Sequence, residues 1–94
     1  MAKMIMELNV NDPEEWIESS RSRLPDTRGF PGCISIEYYQ DVDDPRRFFA
    51  FEEWETREHH AKYAAWRAER GDTEEIISLL QMPGSIRWID ALDY

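Results

Sequence analysis

The stretch RFFAFEEWETREHHAKYAAWRAERG, Arg47 to Gly71, decides how the rest of the chain must be arranged. Its first half reads as a strand. Phe48, Ala50, Glu52 and Trp54 alternate with Phe49, Phe51, Glu53 and Glu55, so the two sets project to opposite faces of a sheet. Apolar side chains in both sets require cover on both faces. Thr56 then supplies an N-cap, and Arg57 to Arg70 is rich in alanine and free of Gly and Pro, which predicts a helix that Gly71 terminates. On the helical wheel His59, Tyr63, Trp66 and Arg70 form one stripe, with Ala61, Ala64, Ala65 and Ala68 opposite. Burying the aromatic stripe removes more apolar area from water than burying the alanines, so the aromatic side is expected to face inward.

Working outward, Lys3 to Val10 alternates Met4, Met6, Leu8 and Val10 against Lys3, Ile5, Glu7 and Asn9, a strand. Asp12-Pro13-Glu14-Glu15 joins an N-cap to proline at the first helical position and acids in the first turn. This helix is expected to run to about Arg23, with Pro25 ending or bending it. Gly29-Phe30-Pro31-Gly32 precedes a second strand, Cys33 to Gln40, and Asp41 to Pro45 turns it into the strand at Arg47. After Gly71, Asp72 or Thr73 is expected to cap a short helix with Ile76, Ile77, Leu79 and Leu80. Ser85 to Leu92 makes a last strand. The order β-α-β-β-α-(α)-β is ferredoxin-like: an α+β domain with an antiparallel sheet and helices on one face. No element remains to cover the other sheet face, so a homodimer pairing the two sheets is expected.

The 94 residues suffice for one domain, 1–94, with 41% hydrophobic and 13% aromatic content. A net charge of −9 repels phosphate backbones and anionic membranes, which excludes nucleic acid and membrane surfaces as partners. One cysteine, Cys33, forms no internal disulfide, and no leader or long apolar run is visible, so the expected location is cytoplasmic.

Pro31-Gly32-Cys33-Ile34, Asp44-Pro45 with Phe48, and above all Phe51-Glu52-Glu53-Trp54-Glu55-Thr56-Arg57-Glu58 are similar to the signature of the antibiotic biosynthesis monooxygenase (ABM) family. The resemblance covers nearly the whole chain and implies a dimeric α+β barrel. In cofactor-free oxygenases of that family a tryptophan ends the third strand, and Trp54 matches it. The asparagine four residues earlier is replaced by Ala50, the tyrosine of the next helix by His60, and a later arginine has no counterpart. In haem-degrading relatives a strand-one asparagine corresponds to Asn9, and Tyr63 and Trp66 stand near the site tryptophan. No histidine follows His60 to bind haem iron, so haem degradation is disfavoured.

The activity the resemblance implies is monooxygenation, without a cofactor, of a small aromatic quinol, phenol or anthrone. Such chemistry needs a base, an aromatic cavity and exclusion of water. Glu52 and His60 are the candidate bases; Trp54, Tyr63, Trp66, Phe48 and Asn9 are the candidate substrate contacts. Each has a plainer reading beside it: Glu52 paired with an arginine or with water, His60 solvated, and the tryptophans simply core. His59 and His60 point about 100° apart on a helix and cannot chelate one metal, so no metal site is expected. Two other functions remain open, a non-catalytic ligand-binding or assembly module and an oxygen-independent isomerase or cyclase.

Overall fold

The computed structural model describes residues 1–94. It comprises β1 (Ala2–Asn9), α1 (Pro13–Arg28), β2 (Cys33–Gln40), β3 (Arg47–Trp54), α2 (Arg57–Glu69), α3 (Asp72–Ser78) and β4 (Ser85–Ile89). The strands form one antiparallel sheet in the order β2-β3-β1-β4. This is the ferredoxin-like α+β arrangement expected from the element order. No helix is long and apolar enough to cross a membrane.

Register decides which side chains meet the helices. Met4 stands between Glu52 and Trp88, Met6 between Ala50 and Ile86, and Leu8 opposite Phe48. On β2, Ile36 pairs with Glu52 and Tyr38 with Ala50, beyond a bulge between Cys33 and Ser35. Leu8, Val10, Trp16 and Phe48 form the buried core, backed by Met6, Ile17, Tyr38, Ile76, Leu79 and Leu80. A second packed region gathers the rings of Phe30, Trp54, His60, Tyr63, Trp66 and Trp88. Between these two regions the helical layer does not close completely.

Local chemistry sets the ends of the elements, with three departures from expectation. The Asp12 carboxylate accepts from the Glu14 and Glu15 amides, and Thr56 Oγ1 accepts from the His59 amide, both at the expected N-caps. However, α1 continues through Pro25 to Arg28 rather than stopping near Arg23. The carbonyl deprived of a donor by Pro25 belongs to Arg21, an exposed residue whose backbone water can satisfy. Neither Asp72 nor Thr73 caps α3. Gly71 takes that place at φ 83°, and Asp72 turns back to the guanidiniums of Arg67 and Arg70. The last strand ends at Ile89 rather than Leu92.

The opposite sheet face carries Ile5, Tyr39, Phe49, Phe51 and Ile89 among charged residues. Tyr39 and Phe51 meet edge to face at 5.7 Å while 53% and 46% exposed. Nothing in the chain covers them.

Candidate active site

The opening left between the two packed regions is a cavity of about 180 Å³. The sheet contributes Met6, Leu8, Ile36, Tyr38, Glu52 and Ile86 to its floor, and α1, α2 and α3 supply its walls. A larger open groove of about 440 Å³ lies where β1, β4 and the start of α2 meet, between Lys3, Arg57 and Asp90. Its charged groups are exposed to water, whereas the smaller, partly enclosed cavity holds the buried Glu52 and Arg67. The cavity is the candidate site.

Glu52 reaches this floor because alternation along β3 turns it, with Ala50 and Trp54, toward the helices. It is 6% exposed. The Trp54 indole Nε1–H donates to its Oε1 at 3.0 Å, and no protein donor reaches Oε2. The chain's ion pairs are Arg28–Glu37, Arg47–Glu7, Arg67–Asp72 and Arg70–Asp72, so Glu52 has no cationic partner. Burial therefore raises the Glu52 pKa above the usual carboxylate range, and the Trp54 hydrogen bond opposes it in part.

His60 lies in an aromatic box, its ring centroid 5.2 Å from Trp54, 5.3 Å from Trp88 and 6.0 Å from Tyr63. Burial lowers its pKa, which keeps the imidazole neutral at neutral pH. His59 takes no part in the cavity; its Nδ1 meets Thr56 Oγ1 at 2.7 Å, and its side chain packs over Gly32.

Tyr63, Arg67, Thr27 and Arg23 are tied in one polar chain. Arg67 Nε donates to the Tyr63 hydroxyl at 2.9 Å, and its Nη2 donates to Thr27 Oγ1 at 3.0 Å and to the Arg23 carbonyl at 3.1 Å. With those donors assigned, the Tyr63 proton goes to Thr27 Oγ1, 2.7 Å away, and the Thr27 proton to the Arg23 carbonyl at 3.3 Å. Arg67 Nη1 closes the chain on Asp72 at 2.9 Å. The network spans α1, α2 and the start of α3, and it sets the distance between the walls.

Of the seven residues singled out in the sequence, Glu52, His60 and Tyr63 line the cavity; the other four do not. Trp54 is 0% exposed and sits behind Glu52 and His60 as their support. Phe48 is core beneath Trp16. Trp66 packs on Phe30 with the guanidiniums of Arg67 and Arg70 against its ring. Asn9 pairs with Arg47 in the register that turns away from the helices.

The inward face of α2 is correspondingly His60, Tyr63, Ala64 and Arg67, rotated from the stripe that began at His59. Arg67, 3% exposed, and Arg23 are the charged cavity residues that the sequence reading missed. The signal for Arg67 was its place four residues after Tyr63 and seven after His60. No three His, Cys, Asp or Glu side chains converge as a metal site.

Comparison with known proteins supplies the family. The model of the family described as antibiotic biosynthesis monooxygenase matches residues 7–70. A stretch of 44 residues, 47% of the chain, is 39% identical to an uncharacterized protein of Synechocystis sp. and spans only 30% of that protein. Among solved structures, one described as an antibiotic biosynthesis monooxygenase superposes with a TM-score of 0.86 at 22% identity, covering 98% of this chain and 99% of that one. A putative antibiotic biosynthesis monooxygenase from Nitrosomonas europaea gives 0.79 at 22% identity, covering 98% and 90%. A mutant of SnoaB, a cofactor-independent oxygenase from Streptomyces nogalater, gives 0.84 at 12% identity, covering 99% and 94%. At these identities the structures speak for the fold alone, while the family match extends over more than half of the chain. The chain belongs to the antibiotic biosynthesis monooxygenase family.

Proposed function

We propose that this protein is a cofactor-independent monooxygenase acting on a single-ring phenol or quinol, with Glu52 as its base. The observation that carries this reading is Glu52 itself: a buried carboxylate with no cationic partner, on the floor of a partly enclosed, largely apolar cavity. Burial raises the basicity of such a group toward that of the phenol it must deprotonate. His60, neutral and adjacent in the same cavity, is the second candidate for moving that proton.

The reaction needs no group that this chain lacks. Glu52 takes the phenolic proton, and the phenolate passes one electron to dioxygen, giving an aryloxyl radical and superoxide. These combine at the ring carbon as a peroxide, which loses water. A phenol and dioxygen thus yield a quinone and water, with the second oxygen atom leaving in the water. The apolar walls exclude solvent that would stabilise the phenolate and slow its oxidation.

Size favours the smaller members of the substrate class. A cavity of about 150 Å³ accommodates one benzene, and this one is about 180 Å³. A three-ring anthrone needs the helices to part; a single ring does not.

The exposed Tyr39, Phe51 and Ile89 on the uncovered face support association through the sheets with a second copy of the chain. The cavity lies on the opposite side of the sheet from that contact.

The test is oxygen uptake with single-ring quinols and phenols, measured against protein-free autoxidation. Uptake should exceed background and fall by about 10²–10⁴-fold in Glu52→Gln. Equal uptake by wild type and variant would remove Glu52 as the base.

A further inference from the structure

The α1 wall of the cavity carries two donors without acceptors. Trp16 Nε1 and Arg23 Nη2 are both buried and make no hydrogen bond within the protein. Both residues line the cavity and stand seven positions apart on α1, on one helical face. They are also packed together, the Arg23 guanidinium lying 5.2 Å from the centroid of the Trp16 ring.

Arg23 differs from Arg67 in how its charge is matched. Arg67 has Asp72 at 2.9 Å, whereas Arg23 has no carboxylate partner, and its Nη1 spends its bond on the Ser19 hydroxyl. A desolvated guanidinium with an unused N–H edge is a costly arrangement to leave empty. One ligand chemistry completes it: an anionic oxygen pair, which accepts from the guanidinium and the indole together.

We propose that Arg23 and Trp16 bind a carboxylate of the substrate, so that the cavity selects hydroxylated aromatic acids over neutral phenols. This rests on reading the cavity as the substrate site, and it assigns the two ends of the ligand. The carboxylate lies against α1, and the phenolic hydroxyl faces Glu52 on β3. The same division keeps the acid of the substrate away from the one buried carboxylate that would repel it. The net charge of −9 does not oppose this, because exposed charges beyond about 8 Å are screened at physiological salt while the half-buried Arg23 guanidinium is screened much less.

The experiment is binding under argon, followed by intrinsic tryptophan fluorescence and calorimetry. The probes are 4-hydroxybenzoate and gentisate, each with a hydroxyl away from the carboxylate and each beside its methyl ester, with wild type, Arg23→Gln and Arg23→Lys. Wild type should bind each acid at least about tenfold more tightly than its ester. Arg23→Gln should lose that preference while ester binding stays within about twofold, and Arg23→Lys should retain part of it. Circular dichroism and a thermal melt report whether a variant is still folded, and only folded variants are scored. If Arg23→Gln does not fold, the acid preference of wild type and its reduction in Arg23→Lys decide the matter. Equal binding of acid and ester by wild type, no binding of either acid at millimolar concentration, or parallel loss of acid and ester in the variants would overturn the proposal. Because no oxygen is consumed, the outcome is separable from the oxygenase reading. Acid preference without oxygen uptake would sink that reading and leave this one standing; uptake of neutral phenols without acid preference would do the reverse.

Discussion

Arg67 donates from Nε to the hydroxyl of Tyr63, one turn earlier on α2, at 2.9 Å, and that hydroxyl meets Thr27 of α1 at 2.7 Å. The phenol oxygen is the shared atom of two helices. Tyr63→Phe keeps the ring packed against Trp54 and Phe30 but leaves a buried guanidinium N–H unpaired. The expected loss is about 1–3 kcal/mol, or about 4–8 °C in Tm for each kcal/mol in a domain of this size. Urea denaturation of Tyr63→Phe, Thr27→Val and the double variant should show non-additive costs. Additive costs would mean that the two hydroxyls do not act through each other.

Glu52 makes opposite demands on activity and on stability. Its pKa is raised in the folded protein by burial, so folding is favoured by the protonated carboxyl. That contribution is fully present below the unfolded carboxyl pKa and disappears as pH rises through the higher folded value. Glu52→Gln, permanently neutral, should therefore gain stability over wild type at pH 8 and lose that advantage near pH 4. Oxygen uptake should run the other way in wild type, rising with pH as the base ionises. Thermal melts at both pH values together with a pH–rate profile check the pair of signs. An advantage for Glu52→Gln that does not change with pH would show that Glu52 is not desolvated.

Gly32 adopts φ 94°, a conformation that L side chains rarely hold, and a methyl group there would run into the side chain of His59. Left-handed backbone alone costs roughly 1–2 kcal/mol in a non-glycine residue, and His59 must also move from its bond to Thr56. Gly32→Ala should lower the Tm by at least about 4 °C. The obstacle includes the His59 Cβ as well as its ring, so only His59→Gly removes it, and Gly32→Ala should cost less in a His59→Gly background than in wild type. An equal cost in both would place the whole of it in the backbone.

Phe51 lies at the centre of the uncovered sheet face, opposite Ile5 on β1 and Glu37 on β2. If two such faces pair, Phe51→Glu buries a charge at the contact and should convert a dimer to a monomer in light scattering, with oxygen uptake per chain affected less than by Glu52→Gln. A wild-type chain that is monomeric at micromolar concentration would overturn the pairing.

How much of this could be read without coordinates differs between the fold and the site. The strand and helix order, the capping by Asp12 and Thr56, and the grouping of the β3 side chains into two faces follow from alternation, proline placement and side-chain hydrogen bonding, all of them short-range. Glu52 was legible for that reason: its neighbours Ala50 and Trp54 fix its face whatever the rest of the chain does. The stripe on α2 was not legible to the same degree, because His59 and His60 are only about 100° apart and both begin an aromatic series. Tertiary packing chose His60, by seating His59 over Gly32, and so brought Arg67 inward. An arginine on an alanine-rich helix reads as solvated until Tyr63, Thr27 and Asp72 are seen around it. The same holds for Arg23. Its type is ordinary on a surface helix, and only the way α1 lies across the sheet leaves its Nη2, and the Nε1 of the inward-facing Trp16, buried and without acceptors. Periodicity along the chain determined which elements form; the fit between helices and sheet determined which polar groups lost their water.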